Sequence, residues 1–334
     1  MSGRNRTRRC SAIVVLHDSG AEVGACLHSL PIGVETVVVD NASKDDGVQV
    51  ARNARPDATI LQTENRGFGA GCNIGARDAS GELLLFLNPD CVLEEGAVDV
   101  LTERLASVPG GIVGPALLTM EGDLREVCRR RSRPVQDMAS LLPVVWKRPP
   151  AAARRDLPAS HPVYEHGGPV DYLQGACMLV RREDFIAAGG FDEDFFLFSE
   201  EEELCDRLRA RGGECIYEPR AHVRHAWGAS TARVEHGAVY HYYRSRAIYY
   251  RKRVGDARGR LRVLAIAAAA GTQLPLQALA AVTRRDFAMR RRWTQLALRG
   301  LLDGSRVPLA SGPAGPFGRA GDAADRPVVT RTAA

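Results

Sequence analysis

Over the first 118 residues, short apolar runs alternate with longer segments whose apolar positions recur every three or four residues. The short runs, residues 12–16, 36–39, 59–61, 82–87 and 111–113, predict strands, several of them rich in valine; the segments 21–30, 47–53, 70–79 and 94–107 predict helices. Strands and helices in strict alternation predict an α/β fold with a mostly parallel central sheet flanked by helices. Ligands of such sheets bind beyond the carboxyl ends of the strands, so the residues just after each run carry the information. Here they are polar: His17-Asp18, Asp40-Asn41, the stretch from Thr63 to Gly69, and Asn88-Pro89-Asp90.

Residues 119–169 break the pattern with arginine- and proline-rich sequence and read as a loop-rich excursion. Order resumes at Val170 with a strand or strand pair, a helix over 182–188, an acidic amphipathic helix opening at Glu200, and strands over 214–217 and 222–226. Beyond Tyr240 the pattern is helical. The apolar stretch 261–282 approaches the ~20 residues of a membrane span, yet Gly271, Gln273, Pro275 and Gln277 interrupt it and make an interfacial or buried hairpin equally reasonable. Gly, Ala, Pro and Arg dominate from Gly304 onward. The organisation expected is a basic tail (1–10), one α/β domain (11–240, with a donor-binding half over 11–118 and an acceptor half over 170–240), a helical extension (241–303) and a disordered tail (304–334).

The 334 residues suffice for a substantial core. The net charge of +5 is almost entirely arginine and is uneven, with acids clustered before Asp206 and arginines crowding residues 244–299. That distribution predicts an anionic surface partner for the C-terminal third, and an anionic membrane surface suits it. No nucleic-acid recognition motif accompanies the arginines, so nucleic acid is not expected as a partner. The eight cysteines form no C-x-x-C pair and mostly sit in apolar runs, reading as buried reduced thiols. The basic N-terminus passes into the first strand without a signal-peptide apolar region, so the expected location is cytoplasmic, at the inner face of the plasma membrane.

Four consecutive glutamates, Glu200 to Glu203, follow an aromatic run. Ser199 with Glu202 three residues on is a capping-box pattern, which makes Glu202 the expected cap partner. On a helical repeat Glu201 lies with Leu204, Cys205 and Leu208 and faces protein, whereas Glu203 points toward Arg207. A desolvated carboxylate at Glu201 suits proton abstraction from a hydroxyl; complementing the helix dipole is the alternative use of all four. Asp40, Asn41 and Ser43 close a valine-rich strand, where an acid suits a base or ribose and where turn chemistry equally places Asp and Asn. The glycine-dense stretch 65–76 lets backbone approach a ligand at a helix start, but its spacing and position are not the dinucleotide fingerprint. Asp90 ends the most apolar strand; a divalent cation or a helix N-cap role would each satisfy it. His225, close in sequence to Gly228 and Ser230, fits a metal or diphosphate ligand as well as a structural strand histidine.

The order of these elements, Asp40-Asn41-x-Ser43, Asn65-x-Gly67-Phe68-Gly69 with Asn73 and Gly75, Leu87-Asn88-Pro89-Asp90, Gly189-Gly190-Phe191-Asp192, Glu200-Glu201 and His225-x-x-Gly228-x-Ser230, resembles the family 2 inverting glycosyltransferases, in their rhamnosyltransferase-like branch. The resemblance spans about residues 10–255. It implies a GT-A nucleotide-diphospho-sugar transferase fold, a nucleotide-diphosphate sugar donor, Mg²⁺ or Mn²⁺, and a glycan or lipid-linked glycan acceptor. It implies donor contacts from Asp40, Asn41, Ser43, Asn65, Gly67, Asn73 and Asn88, metal ligation by Asp90 with His225, and Glu201 as base, Glu200 being its interchangeable neighbour. Two departures stand out: Asn88 replaces the first aspartate of an Asp-x-Asp motif, and the usual Glu-Asp pair is Glu200-Glu201. Two rival functions are a sugar-nucleotide nucleotidylyltransferase, which would need a basic glycine-rich loop after the first strand where only LHDSGAEVG stands, and a catalytically idle nucleotide- or glycan-binding module.

Overall fold

Val14, Val15, Val37, Val38 and Val39 are β-branched and almost wholly buried, and the strands they form make the centre of the molecule. The computed structural model describes residues 10–141, 154–226, 235–275, 277, 285–309 and, in the tail, 313, 315, 317 and 329–332. In chain order its strands are β1 (Cys10–Leu16), β2 (Glu35–Asn41), β3 (Thr59–Thr63), β4 (Leu83–Leu87), β5 (Cys91–Leu93), β6 (Ile112–Leu118), β7 (Cys128–Arg129), β8 (Gly168–Val170), β9 (Tyr172–Leu173), β10 (Cys177–Arg181), β11 (Cys215–His225) and β12 (Thr330–Thr332). The main sheet runs β12-β3-β2-β1-β4-β10-β6-β11-β5, with β8 also on β11, while β7 and β9 form a separate ribbon.

The donor half is parallel, as the alternating pattern requires: β1 pairs parallel with β2 and β4, and β2 with β3. The whole sheet is mixed, because β10 enters antiparallel between β4 and β6. That insertion carries the second half of the chain back into the first half's sheet. The two strands expected over 214–217 and 222–226 are one strand, β11, with a register shift between Glu218 and His222 around Pro219, which cannot donate to the ladder. All eight thiols are buried and unpaired.

The boundary expected at 240 falls inside the helix Glu235–Val254, which runs unbroken past it and buries Tyr243, Tyr249 and Tyr250. This helix, Asp256–Gly271 and Arg285–Arg306 enclose a second apolar cluster that includes Tyr243, Ile248, Tyr250, Val263, Ile266 and Leu301. Among the described residues no helix is long and apolar enough to cross a membrane. Disorder beyond Gly304 is corrected at the described positions: the helix continues to Arg306, and Thr330–Thr332 pairs antiparallel with β3, where backbone hydrogen bonding to an open edge needs no apolar composition.

Gly300 and Gly304 let Arg285–Arg306 approach Glu235–Val254 closely, since a β-carbon on either would lie 2.4 Å from the carbonyl oxygen of Tyr240 or Arg244 respectively. Gly304→Leu is therefore expected to lower the urea unfolding free energy by about 1–3 kcal/mol through overpacking. A midpoint equal to wild type would show that the two helices separate without loss.

Candidate active site

The carboxyl ends of β1 to β4 bring the polar residues together at one edge of the sheet. Asp40 stands opposite Gln62 in the parallel register; its carboxylate accepts from Gln62 Nε2 at 3.3 Å and from the Ser43 backbone N–H at 3.0 Å. Ser43 Oγ accepts from the Asp18 N–H at 3.1 Å, and Asp18 in turn accepts the Lys44 N–H at 2.6 Å, which helps hold its carboxyl below the usual range. Asp18 (φ 51°) and Ala42 (φ 57°) adopt left-handed backbone in these turns. Non-glycine residues in that region cost about 1–3 kcal/mol each and cluster where function requires a fixed shape.

The glycine-dense stretch is a packing joint as well as a loop. Gly67 has φ 100°, and a β-carbon there would lie 2.1 Å from the Phe196 carbonyl oxygen, which also accepts the Phe68 N–H at 3.0 Å. Asn65 Oδ1 accepts the Gly67 N–H at 3.0 Å. Two of the residues expected to contact the donor make hydrogen bonds within the protein. Asn73 is fully buried, donating to the Phe191 carbonyl at 2.8 Å and to Glu193 at 3.0 Å while accepting the Phe191 N–H at 2.8 Å, so its hydrogen-bonding capacity is spent within the protein. Asn41 is buried as well and donates to the Gly67 carbonyl at 3.0 Å, tying the end of β2 to the loop, while its Oδ1 makes no hydrogen bond among the described residues.

Asp90 follows β4 in the turn to β5. Asn88, half-buried before it, is fixed through its N–H to the Ala176 carbonyl at 2.8 Å. Antiparallel pairing of β11 with β5 sets His225 opposite Cys91, and the Ala226 N–H binds the Asp90 carbonyl at 3.0 Å. His225 Nε2 consequently lies 3.2 Å from Asp90 Oδ1, both side chains being buried. Oδ1 makes no hydrogen bond among the described residues. Asp90, Cys91 and His225 present ligand atoms within 4.8 Å of one another. A carboxylate oxygen so placed beside an imidazole fits a divalent cation. Cys91 is the soft member; its thiol lies 3.5 Å from the Ala176 carbonyl, and burial raises its pKa well above the ordinary range, so Mg²⁺ or Mn²⁺ would use Asp90 and His225. Gly228 and Ser230 lie outside the described residues.

The helix Glu200–Ala210 opens where expected, but its cap is corrected. Ser199 is left-handed (φ 69°) and makes no side-chain bond to the helix; Glu202 instead accepts the Ser132 N–H and hydroxyl, both at 2.7 Å, and Arg246 Nη1 at 2.8 Å. Glu203 pairs with Arg207 at 2.6 Å, as the helical spacing predicts. All four glutamates are buried, so burial does not single out Glu201. Direction does. The space beside Gly69, near Phe191, adjoins the Glu200 β-carbon, and burial together with Glu201 raises the Glu200 carboxyl well above its ordinary range. Glu201 lies against Gly175, where an added β-carbon would sit 3.4 Å from its own, in the turn whose Ala176 carbonyl holds Asn88. Burial raises its carboxyl too, with Arg129 opposing. Arg129, Arg246 and Asp137 are participants that the residue pattern did not disclose; the only signal was the density of arginine and tyrosine around them.

The sequence profile of Glycosyl transferase family 2 matches residues 11–185. An N-acetylglucosaminyl-diphospho-decaprenol L-rhamnosyltransferase of Mycobacterium tuberculosis is 30% identical over 249 residues, 69% of this chain and 80% of that protein. The low-salt glycan biosynthesis hexosyltransferase Agl10 of Haloferax volcanii is 30% identical over 214 residues, 61% of this chain and 64% of its own length. Among solved structures, the mannosyltransferase PcManGT of Pyrobaculum calidifontis, in complex with GDP-Man and Mn²⁺, superposes with a TM-score of 0.50 at 18% identity, covering 89% of this chain and 86% of that one. GalNAc-T7, with UDP, GalNAc and Mn²⁺, does so with a TM-score of 0.52 at 16% identity, covering 65% of this chain and 42% of that one. These superpositions establish a GT-A-like fold with a C-terminal helical extension. The chain belongs to glycosyl transferase family 2, whose members move a sugar from a nucleotide-diphosphate donor to an acceptor.

Proposed function

We propose that this glycosyltransferase transfers a hexosyl or rhamnosyl unit, with inversion, to a hydroxyl of a lipid-linked glycan, using Glu201 as base and a divalent cation at Asp90 and His225. The observation that carries the reading is the buried pair at the end of β4, Asp90 Oδ1 with His225 Nε2 at 3.2 Å, beside the turn that faces Glu201. Glu201 takes the proton of the acceptor hydroxyl as that oxygen bonds to the anomeric carbon. The bond from that carbon to the diphosphate oxygen breaks, its electron pair leaving with the nucleotide. One carboxylate is enough for this reaction, whereas a glycosidase needs a second to protonate its leaving group. A bound Mg²⁺ or Mn²⁺ supplies charge neutralisation for the departing diphosphate. Asp40, bonded by the Ser43 N–H and close in the fold to the turn that Asn65 fixes, is assigned to the nucleoside.

The lipid-linked acceptor has its own support. Leu261 and Leu264 are 67% and 54% exposed on Asp256–Gly271, and Met289 and Trp293 stand exposed one turn apart on Arg285–Arg306. Arg258, Arg291 and Arg292 are exposed near them in the chain. Apolar side chains flanked by guanidinium groups suit an interfacial helix on anionic lipid. Together with eight free thiols, this favours the cytoplasmic inner face of the plasma membrane as the place of action.

Glu201→Gln is expected to keep donor affinity and lose about 10²-fold or more in turnover, while Glu200→Gln keeps most of its turnover. Because the folded Glu200 carboxyl binds its proton more tightly than the unfolded one, wild-type stability falls as pH rises from the ordinary carboxylate range through the raised folded value. Glu200→Gln should flatten that fall in thermal melts across pH 4–8 (about 4.3 being the unperturbed value). Normal turnover in Glu201→Gln would remove it as base.

Asp90→Ala should abolish the gain in nucleotide-sugar affinity on adding Mn²⁺, read by calorimetry. An undiminished Mn²⁺ effect would take Asp90 out of the cation site. The full chain should also co-sediment with phosphatidylglycerol-containing vesicles at low salt, and Trp293→Glu with Leu261→Glu should abolish this. Equal sedimentation with neutral and anionic vesicles would sink the membrane reading.

A further inference from the structure

The chain enters the glutamate helix through two consecutive left-handed residues, Phe198 (φ 68°) and Ser199 (φ 69°), neither of them glycine. Such backbone persists only where the surroundings over-determine it. Here one element does so, the helix Glu235–Val254. Arg244 Nη1 donates to the Asp194 carbonyl at 3.3 Å, and Ser245 Oγ to the Leu197 carbonyl at 2.8 Å. Arg246 Nη1 reaches Ser199 Oγ at 3.4 Å and Glu202 at 2.8 Å. Lys252 pairs with Asp192 at 2.5 Å and Asp194 at 2.6 Å. The Phe196 ring stacks on His241 at 4.5 Å, and Phe198 meets Tyr242 edge-on at 5.9 Å. Much of the segment from Asp192 to Glu202 is thus held from one helix, which begins 50 residues beyond the end of the family match at 185. A helix held only by apolar burial would need none of these bonds to backbone carbonyls.

We propose that the helix Glu235–Val254 is a positioning clamp, which holds Phe198 and Ser199 in left-handed backbone and so fixes where Glu201 points, with Arg246 as its central residue. The proposal rests on Glu201 being the base. Arg246 is a positioning residue because its contacts are to the helix entry and to Glu202, not to Glu201. Its charge adds a second readout. Glu201 is faced by Arg129 of β7 and by Arg246, shares its helix with Glu200, Glu202 and Cys205, and has Tyr172 of β9 beside Glu202. Removing the Arg246 charge makes Glu201 harder to ionise, which moves the acid limb of kcat/KM to higher pH.

The test uses the full chain with saturating Mn²⁺ and compares Arg246→Lys, Arg246→Gln and Ser245→Ala for kcat, donor KM, calorimetric donor affinity and thermal melting. Ser245→Ala is expected to lower kcat on the order of 3- to 10-fold, the worth of one hydrogen bond. Arg246→Gln should lower it on the order of 10²-fold, as a small misplacement of a reacting group does. Donor affinity should stay at wild type in each. The acid limb should move up only in Arg246→Gln, and Arg246→Lys should recover part of the turnover. A merely structural helix would lower the melting temperature and leave kcat per folded enzyme and the pH profile unchanged, which overturns the clamp. Should Arg246→Gln fail to fold, Ser245→Ala and Arg246→Lys decide by the same criteria. An active Glu201→Gln enzyme defeats the assignment of the base. Wild-type turnover in folded Ser245→Ala and Arg246→Lys, with Glu201→Gln inactive, defeats the clamp alone.

Discussion

A single buried guanidinium joins the three parts of this enzyme. Arg246 is 1% exposed, and its fork reaches Asp137 Oδ2 at 3.2 Å, Glu202 Oε2 at 2.8 Å and the Tyr250 hydroxyl at 3.0 Å, with the rings of Tyr249 and Tyr250 each 4.9 Å from its centre. Burial disfavours ionising Asp137, yet Arg246 and Arg155 outweigh it and hold the carboxyl below its ordinary range. Such a cluster adds little net stability against an apolar equivalent, but breaking it by removing one partner costs about 3–5 kcal/mol, because a charge is then left buried alone. Its value lies in allowing one arrangement of the excursion helix Pro134–Leu141, the glutamate helix and the C-terminal helices.

That arrangement matters because catalytic geometry is divided between two halves of the sheet. The cation-type site depends on β11 pairing with β5, which brings His225 to Asp90 from 135 positions along the chain. The proposed base depends on the glutamate helix, and the turns proposed to receive the nucleoside depend on β1, β2 and β3. Asn73 and Gly67 connect the donor half to the segment before the glutamate helix, through Phe191 and Phe196. The same segment is held on its other side from Glu235–Val254. A buried carboxylate is costly; these bonds from both sides hold the segment that leads into its helix.

The legible part of the site was the part written locally. Strand ends, the entry of the glutamate helix at Glu200 and the Glu203–Arg207 pair follow from periodicity and spacing, since side chains three or four apart on a helix meet whatever the rest of the fold does. The errors fell where a local rule had a distant competitor. Ser199 has the sequence of a cap, but Arg246 and the left-handed turn claim it. Asn73 resembles a ligand contact because it is polar among glycines, yet Phe191 and Glu193 take up its hydrogen bonds. Disorder expected for the tail gives way at Thr330–Thr332, where β3 offers an open edge.

The sequence alone therefore determined the α/β class, the parallel donor half, the acidic helix and the set of residues from which a site could be drawn, because each rests on periodicities of two or 3.6 residues and on turn chemistry. Tertiary structure alone decided the antiparallel entry of β10, the meeting of His225 with Asp90, and the bonds by which Arg246 joins Asp137, Glu202 and Ser199. Those depend on which buried charges and backbone groups find partners far away in the chain, and desolvation makes that pairing a property of the packed whole rather than of any segment.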